Sequence, residues 1–449
     1  MSYPNRPTID RGAVTALADV AVSWADKGLP PTTWGRPVRE VAAAGLRLSQ
    51  FPTPLLTLSA PAMQQNLQVL AEWCSERRLD LAPHGKTTMA PQLWADQLAA
   101  GAWAITLANL PQLAVARAFG VSRVMIANAI ISPLTLSWIA DQLAADHGFQ
   151  LLTWADSVRT VELMESALAE HAPSESAGYR PVDVLVEVGG AGGRTGARDV
   201  ATAVAIGRAI AASPHLRLAG VAGYEGALSH GSDPASLAVV RAYLESLREA
   251  HRILTAEELY PDGLEPVVTA GGSAYFDVVA DVLAPLVTDG VRVVLRSGAY
   301  LAHDDGFYSH VSPLGEEPRT DGRRLHSAMH GWVRVSSQPE PGLALFDAGK
   351  RDLPFDEGLP QVQLRRGRDA AEGPVPLTGV AGLTVTALND QHGFVRFDPA
   401  APSPVQIGDE LRLGLSHPCT AFDKWRLIPV IDDPDAADPV VVDLVRTYF

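Results

Sequence analysis

Through the middle of the chain, short apolar runs alternate with Ala-rich stretches of helical spacing. The apolar runs are Leu79–Pro83, Ala104–Ala108, Arg123–Ala127, Gln150–Trp154, Val182–Val188, Leu218–Tyr224, Val267–Ala270 and Val291–Leu295. They are nearly continuous rather than alternating, the pattern of strands buried on both faces. Between them lie helical patterns such as Ala90–Ala100, Leu110–Phe119, Leu134–His147, Val158–Ala172, Asp199–Ala212, Pro234–Ala256 and Ala274–Leu286. Eight strand–helix units over roughly 220 residues predict a parallel (β/α)8 TIM-type barrel, with a doubly wound open sheet as the competing architecture.

After Asp305 the pattern changes. Short alternating segments appear at Gly331–Ser337, Gly342–Phe346, Leu383–Leu388, Gly393–Phe397, Glu410–Leu415 and Trp425–Ile431. Gly, Pro and Asp punctuate them, as in Arg366-Gly367-Arg368-Asp369. These segments predict a C-terminal antiparallel β domain. The fold class is α/β: an N-terminal extension over 1–50, a barrel over 51–305 and the β domain over 306–449. The run Thr53–Leu58 reads as a strand that joins the C-terminal sheet. The extension reads as helical, with no role assigned.

Composition narrows the function. At 449 residues the chain exceeds one ordinary domain, and 47% hydrophobic residues allow a large core. A net charge of -15 argues against a nucleic-acid partner, which needs clustered Lys and Arg. The two cysteines, Cys74 and Cys419, exclude a disulfide framework as the organising principle. Met1–Asp10 lacks an apolar signal core, and no run is long enough to span a bilayer. The expected compartment is the cytoplasm, with no membrane partner.

In barrels the chemistry sits at the C-terminal ends of the strands. The first strand ends in Pro83-His84-Gly85-Lys86-Thr87, so Lys86 points to the barrel mouth, either as an ordinary turn lysine or as an amine held for covalent chemistry. The fifth ends in a Gly-rich loop, Gly189-Gly190-Ala191-Gly192-Gly193-Arg194, where Arg194 can hold an anionic oxygen. The sixth ends in Tyr224-Glu225-Gly226. The seventh ends in Gly271-Gly272-Ser273 before a helical stretch, and the eighth in Arg296-Ser297-Gly298-Ala299-Tyr300. Glycines, a hydroxyl and a helix start after the last two strands make a phosphate cradle. Farther on, Ser416-His417-Pro418-Cys419 offers two donors whose chemistry suits zinc, if the segment is extended and both point one way. Asp390-Gln391-His392-Gly393 reads as a polar hairpin turn carrying a further histidine.

In this order, these motifs resemble the fold-type III pyridoxal-phosphate enzymes of the eukaryotic-type D-serine dehydratase and D-threonine aldolase family, with their alanine racemase-like N-terminal barrel. The resemblance covers about residues 50–435. It implies pyridoxal 5′-phosphate as a Schiff base on Lys86, and cofactor contacts from Arg194, Tyr224, Gly271, Gly272, Ser273, Arg296, Gly298 and Tyr300. It places Glu187 where the family commonly has Asp, and matches Asp347-Ala348-Gly349 to a motif of the β domain. It implies a divalent metal on His417 and Cys419, zinc or alternatively manganese, and a polar role near the substrate for His392. The implied function is a lyase acting on small D-3-hydroxy amino acids. The Cys at 419 favours a dehydratase giving a 2-oxo acid and ammonia. The alternatives are a D-threonine aldolase giving glycine and an aldehyde, an amino-acid racemase, and a non-catalytic pyridoxal-phosphate-binding protein. A homodimer is also implied, with the β domain of one chain covering the other's barrel mouth. Residues 1–50 and Asp304–Arg324 fall outside the matching pattern.

Overall fold

The computed structural model describes residues 3, 6–171, 179–366, 374–376 and 382–449. The turn expected at Arg366–Asp369 lies, beyond Arg366, outside the described residues. The chain divides into two compact units that interleave in sequence. The first takes in the N-terminal residues through Asp10, Leu70–Lys86 and Trp94–Gly298. The second takes in Arg11–Val69, Thr87–Leu93 and Ala299–Phe449.

The earliest strand, β1 (Leu55–Ser59), belongs to the second unit's sheet. The first unit holds β2 (Asp80–Leu81), β3 (Ile105–Leu107), β4 (Arg123–Ala129), β5 (Gln150–Ala155), β6 (Val182–Val188), β7 (Leu216–Gly223), β8 (Val267–Ala270) and β9 (Arg292–Leu295). All are parallel, in the order β2-β9-β8-β7-β6-β5-β4-β3. The two ends of this order meet: His84 bridges Thr106 in parallel, Trp103 N–H donates to Leu81 O at 2.6 Å and Thr106 N–H to Pro83 O at 2.9 Å. These bonds close the sheet into a barrel and exclude the open-sheet alternative. Every residue of β6 and β8 is buried, which is why the strands read as unbroken apolar runs. The interior mixes large and small side chains, Trp103, Trp154, Leu152 and Leu185 against Ala82, Ala219 and Ala222. Each fully buried Leu or Val contributes about 1.5–3 kcal/mol.

The N-terminal segment is less helical than its composition suggests, with two six-residue helices, Arg11–Ala16 and Val38–Ala43, and short 3-10 turns. Its first part belongs to the barrel. Tyr3 joins the barrel core, packs edge-on against Trp103 at 5.4 Å and donates its hydroxyl to Asp183 at 3.2 Å.

The second unit is built from β1 with β10 (Met329–Glu340), β11 (Leu343–Phe346), β12 (Gln361–Arg366), β13 (Pro374–Pro376), β14 (Thr384–Leu388), β15 (Gly393–Arg396), β16 (Glu410–Gly414), β17 (Leu427–Ile431) and β18 (Val441–Arg446). The main path runs β13-β12-β16-β10-β1-β17-β18, and β11, β15 and β14 branch from β10. The pairing is antiparallel except between β1 and β17, which run parallel. The alternation test overlooks β12 because one of its inward positions is charged: Val362, Leu364 and Arg366 face in, and Arg366 meets Glu410 at 2.5 Å. No helix among the described residues is long and apolar enough to cross a membrane.

Candidate functional site

Lys86 sits in the 3-10 turn Gly85–Thr87, directly after the bonds that close the barrel. The turn is rigid. Trp94 Nε1 donates to Gly85 O at 3.1 Å, and a Cβ on Gly85 would lie 2.5 Å from Ile105 and 2.9 Å from that indole nitrogen. His84, Lys86, Arg194 and Arg296 are near enough to interact electrostatically. Burial holds the His84 imidazole well below its ordinary pKa, and the charges of Lys86, Arg296 and Arg194 push the same way. His84 is therefore neutral.

Arg296 is 2% exposed. It donates to Thr269 Oγ1 at 2.6 Å and to Gly223 O at 2.5 Å, and its guanidinium lies 5.5 Å from the Trp154 ring. Burial lowers its pKa, opposed chiefly by Glu225. Arg194, exposed in the Gly-rich loop, stands 5.2 Å from the Tyr224 ring. That loop closes on itself, with Gly189 N–H donating to Ala197 O at 2.9 Å and Ala197 N–H to Glu187 O at 2.8 Å. Gly196 adopts φ 99°, and its Cβ would meet Gly189 N at 2.4 Å. At these two positions glycine serves the loop's own packing before any ligand's approach. Burial raises the Glu187 pKa, while Thr195 donates to its Oε1 at 2.8 Å.

The cradle differs from expectation in one respect. Glu225, fully buried, accepts Gly271 N–H at 3.0 Å and Gly272 N–H at 2.7 Å. Two of the expected phosphate donors are thus held by a carboxylate. Ser297 Oγ closes the other side on Gly272 O at 2.8 Å. Ser273 is 8% exposed, and Gly272 has no room for a side chain, since a Cβ would lie 2.9 Å from the Tyr224 ring. Gly298 is buried at the end of the first unit. Tyr300, 1% exposed in the turn Ala299–Leu301, falls in the second.

The first unit's chemistry fits a polar aromatic phosphate. Among the described residues, Arg296 Nε, His84 Nδ1 and Glu187 Oε2 are buried without a hydrogen-bond partner. Each of these three, near a strand end, has hydrogen-bonding capacity left for a polar ligand.

In the second unit, His417 has φ 58° and ψ 84° and caps the helix Pro418–Phe422. The expected extended His-x-Cys segment is therefore a helix start, because Pro418 presets the first helical position. The two side chains are still close enough to interact, the Cys419 thiol being among the groups that raise the His417 pKa. His417 Nδ1 meets Asp356 Oδ2 at 2.5 Å, and Cys419 Sγ donates to Thr87 Oγ1, in the residue after Lys86, at 3.4 Å. Burial works against protonation of His417, yet Cys419 and Asp356 together hold its pKa up at about 9. An imidazole and a thiol side by side fit a zinc-type ion in donor chemistry. Among the described residues no group of three or more His, Cys, Asp and Glu side chains forms a metal cage. His392 is exposed at the turn between β14 and β15, where its carbonyl accepts Asn389 N–H at 2.8 Å. Asp347 is tied up structurally, accepting from Thr53 Oγ1 at 2.6 Å and Arg334 N–H at 2.7 Å. Sequence reasoning missed Glu225, Asp304 and Asp356. Glu225 stands beside the noted Tyr224, but Asp356 lies 61 residues before His417 in irregular chain, where no spacing signals it.

A closed parallel barrel with a lysine at its first strand end, joined to a mostly antiparallel sheet, is the architecture of the fold-type III pyridoxal-phosphate enzymes. The chain is similar to those of the D-serine dehydratase and D-threonine aldolase type. Residues 328–431 match the family described as "Putative serine dehydratase domain". D-threonine aldolase of Arthrobacter sp is 28% identical over 397 residues, 87% of this chain and 92% of that protein. D-threo-3-hydroxyaspartate dehydratase of Delftia sp. (strain HT23) is 29% identical over 386 residues, 81% of this chain and 92% of that protein. The crystal structure of D-threonine aldolase from Filomicrobium marinum superposes with a TM-score of 0.71 at 25% identity, covering 90% of this chain and 97% of that one.

Proposed function

We propose that the chain is a pyridoxal-phosphate- and metal-dependent lyase acting on D-3-hydroxy amino acids, most directly a dehydratase releasing a 2-oxo acid and ammonia. The observation that carries the dehydratase reading is the thiol of Cys419 in the helix that His417 begins, where a carboxylate is the common aldolase alternative. The likeness to D-threonine aldolase over most of both chains supports a second reading, cleavage to glycine and an aldehyde.

When bound, pyridoxal phosphate supplies an electron sink for charge developing at Cα, and a divalent metal supplies a Lewis acid for the 3-hydroxyl. The chain's own groups do the rest. The Lys86 amine would hold the cofactor, and as a free amine it would take the Cα proton. Neutral His84 beside it adds no further positive charge to those of Arg194 and Arg296. Buried Arg296 presents its unpartnered Nε–H to an acceptor. Arg194, braced on Tyr224, orients an anionic oxygen. Ser273 and the start of the helix Phe276–Leu283 would hold the phosphate, while Glu225 keeps the Gly271–Gly272 turn in shape. His417 and Cys419 would hold the metal, zinc by donor softness, with manganese the alternative. We assign no proton transfer to exposed His392 beyond a polar contact.

The test is incubation with D-serine, D-threonine and D-threo-3-hydroxyaspartate, with and without chelator. Oxo acid with ammonia in equal amounts supports elimination. Glycine and an aldehyde as the main products refute the dehydratase reading in favour of the aldolase. Absorption of the enzyme as isolated tests the anchor: a visible band, bleached by borohydride and missing in Lys86→Ala, is expected. We further propose a cytoplasmic homodimer. Sedimentation at twice the chain mass at micromolar concentration is the expected result.

A further inference from the structure

His417 is held in a conformation that a histidine rarely adopts by itself. A positive φ of 58° in a residue with a Cβ costs of order 1 kcal/mol or more, and it persists only where neighbours fix it. Two carboxylates from separate parts of the second unit do so. Asp304, 1% exposed, takes the main chain: its Oδ2 accepts His417 N–H at 3.0 Å. Its Oδ1 accepts Gly306 N–H at 3.1 Å, Tyr308 N–H at 2.9 Å and Ser309 N–H at 3.3 Å. The Asp304 turn is pressed against the chain before His417, for a Cβ on Gly306 would lie 1.7 Å from Ser416 Oγ.

Asp356 takes the ring. Its Oδ2 meets His417 Nδ1 at 2.5 Å, and its Oδ1 accepts Thr420 Oγ1–H at 2.6 Å. Thr420 lies one helical turn from His417, and its own N–H donates to His417 O at 3.2 Å. The carboxylate is therefore fixed by the helix that carries the Cys419 thiol. A carboxylate only accepts, so Nδ1 carries the hydrogen and the lone pair of the neutral ring sits on Nε2. A carboxylate behind a histidine in this way sets the tautomer, aims the ring and raises the basicity of the free nitrogen.

We propose that Asp356 is a positioning residue for a metal ion on His417 and Cys419: it fixes the ring so that Nε2 is presented beside the thiol before any metal arrives, while Asp304 locks the backbone beneath. The proposal rests on the metal-pair reading above. Asp356 is not a ligand in it; it acts through His417.

The experiment is zinc affinity of the chain stripped of metal, measured by competition with a chromogenic chelator, for the parent, Asp356→Ala, Asp356→Asn, Asp356→Glu, His417→Ala and Cys419→Ala. Thermal melting of the metal-free forms runs alongside. Asp356→Ala weakens zinc binding by roughly 10–100-fold with the metal-free melting temperature unchanged. Asp356→Asn, which keeps an acceptor for Nδ1–H, falls between it and the parent, and Asp356→Glu recovers part of the loss. Cobalt gives an independent readout: the parent shows an intense near-ultraviolet thiolate band, and Asp356→Ala reaches the same band only at higher cobalt. Parental zinc affinity in Asp356→Ala, with His417→Ala and Cys419→Ala both weakened, overturns this proposal and leaves the metal pair standing. No loss in His417→Ala or Cys419→Ala overturns the metal pair and this proposal with it. A metal-free melting temperature lowered in Asp356→Ala, with full affinity regained by Asp356→Asn below that temperature, also overturns it, since the role is then structural.

Discussion

Replacing Glu225 by Gln exchanges one carboxylate oxygen for an NH2 at a fully buried position. Gly271 N–H and Gly272 N–H each donate to a separate oxygen of this carboxylate, at 3.0 and 2.7 Å. Hydrogen bonds to a charged group contribute about 1.5–3 kcal/mol each, and a buried donor left unmet costs about 1–3 kcal/mol. The Gln amide can satisfy one of the two N–H groups; the other then faces an N–H. Arg296, whose charge Glu225 supports, also loses a counter-charge. The expected loss is about 2–4 kcal/mol, concentrated at the turn that leads into Ser273. Titration of the cofactor-free protein with pyridoxal phosphate, followed by visible absorption, is expected to show affinity weakened by about 10–100-fold, the equivalent of about 1.4–2.8 kcal/mol of that loss. A melting curve is expected to show a modest downward shift. Unchanged affinity would refute the scaffold role of Glu225. Tighter binding would refute it more sharply, because the carboxylate would then be competing with phosphate for the two donors.

Other outcomes follow from the packing and the titrating groups. A Cβ on Gly207, in the helix Val200–Ala212, would lie 2.3 Å from Leu254 Cδ2 of the helix Pro234–Ala256. Gly207→Ala is expected to lose about 1–3 kcal/mol and Leu254→Ala about 2–5 kcal/mol in urea unfolding, and the double variant less than their sum; strict additivity would count against the contact. Burial pushes the His251 pKa down to about 4, with Nδ1 bonded to the Tyr260 hydroxyl at 2.9 Å. A depressed histidine contributes stability that is complete above the unfolded pKa of about 6.5 and lost as pH falls toward 4, in total about 3 kcal/mol. His251→Gln should flatten part of the stability loss between pH 6.5 and 4.5, and an unchanged slope would show that His251 does not contribute. Chelation of the holoenzyme is expected to stop product formation while leaving the visible band of the Lys86 linkage intact. Loss of the band with the metal would show that the two groups are not held independently.

The barrel was legible because its strands are buried on both faces. In β6, Val182–Val188, every position is buried, so the run needs no alternation to stand out. The ends of the strands were legible for a different reason: Lys86, Arg194 and Arg296 are residue types that a packed barrel has little use for at its mouth. The supporting carboxylates were not legible. Glu225 and Asp304 act by accepting backbone N–H groups, and any acidic residue in a loop looks alike until the backbone is seen. Asp356 reaches His417 only through the fold. The helix start at Pro418 was hidden by treating His-x-Cys as an extended pair. Strand β12 was hidden because an inward arginine, Arg366, breaks the apolar alternation that its partner Glu410 makes tolerable.

The interleaving of the two units sets a limit on how such a chain can be rebuilt. The heptapeptide Thr87–Leu93 belongs with the sheet unit, yet it is flanked on both sides by barrel segments. Tyr448 N–H donates to Met89 O at 2.9 Å, and Gln92 Nε2 donates to Leu444 O at 2.9 Å, so this short piece completes the edge where the chain ends. A gene fusion that joins one relative's barrel to another's sheet at a single crossover therefore carries a foreign heptapeptide, and a foreign Arg11–Val69 with β1, into the graft. Chimeras should tolerate such a junction only when both Arg11–Val69 and Thr87–Leu93 travel with the C-terminal partner, which makes the barrel and its sheet a unit of inheritance rather than two exchangeable parts.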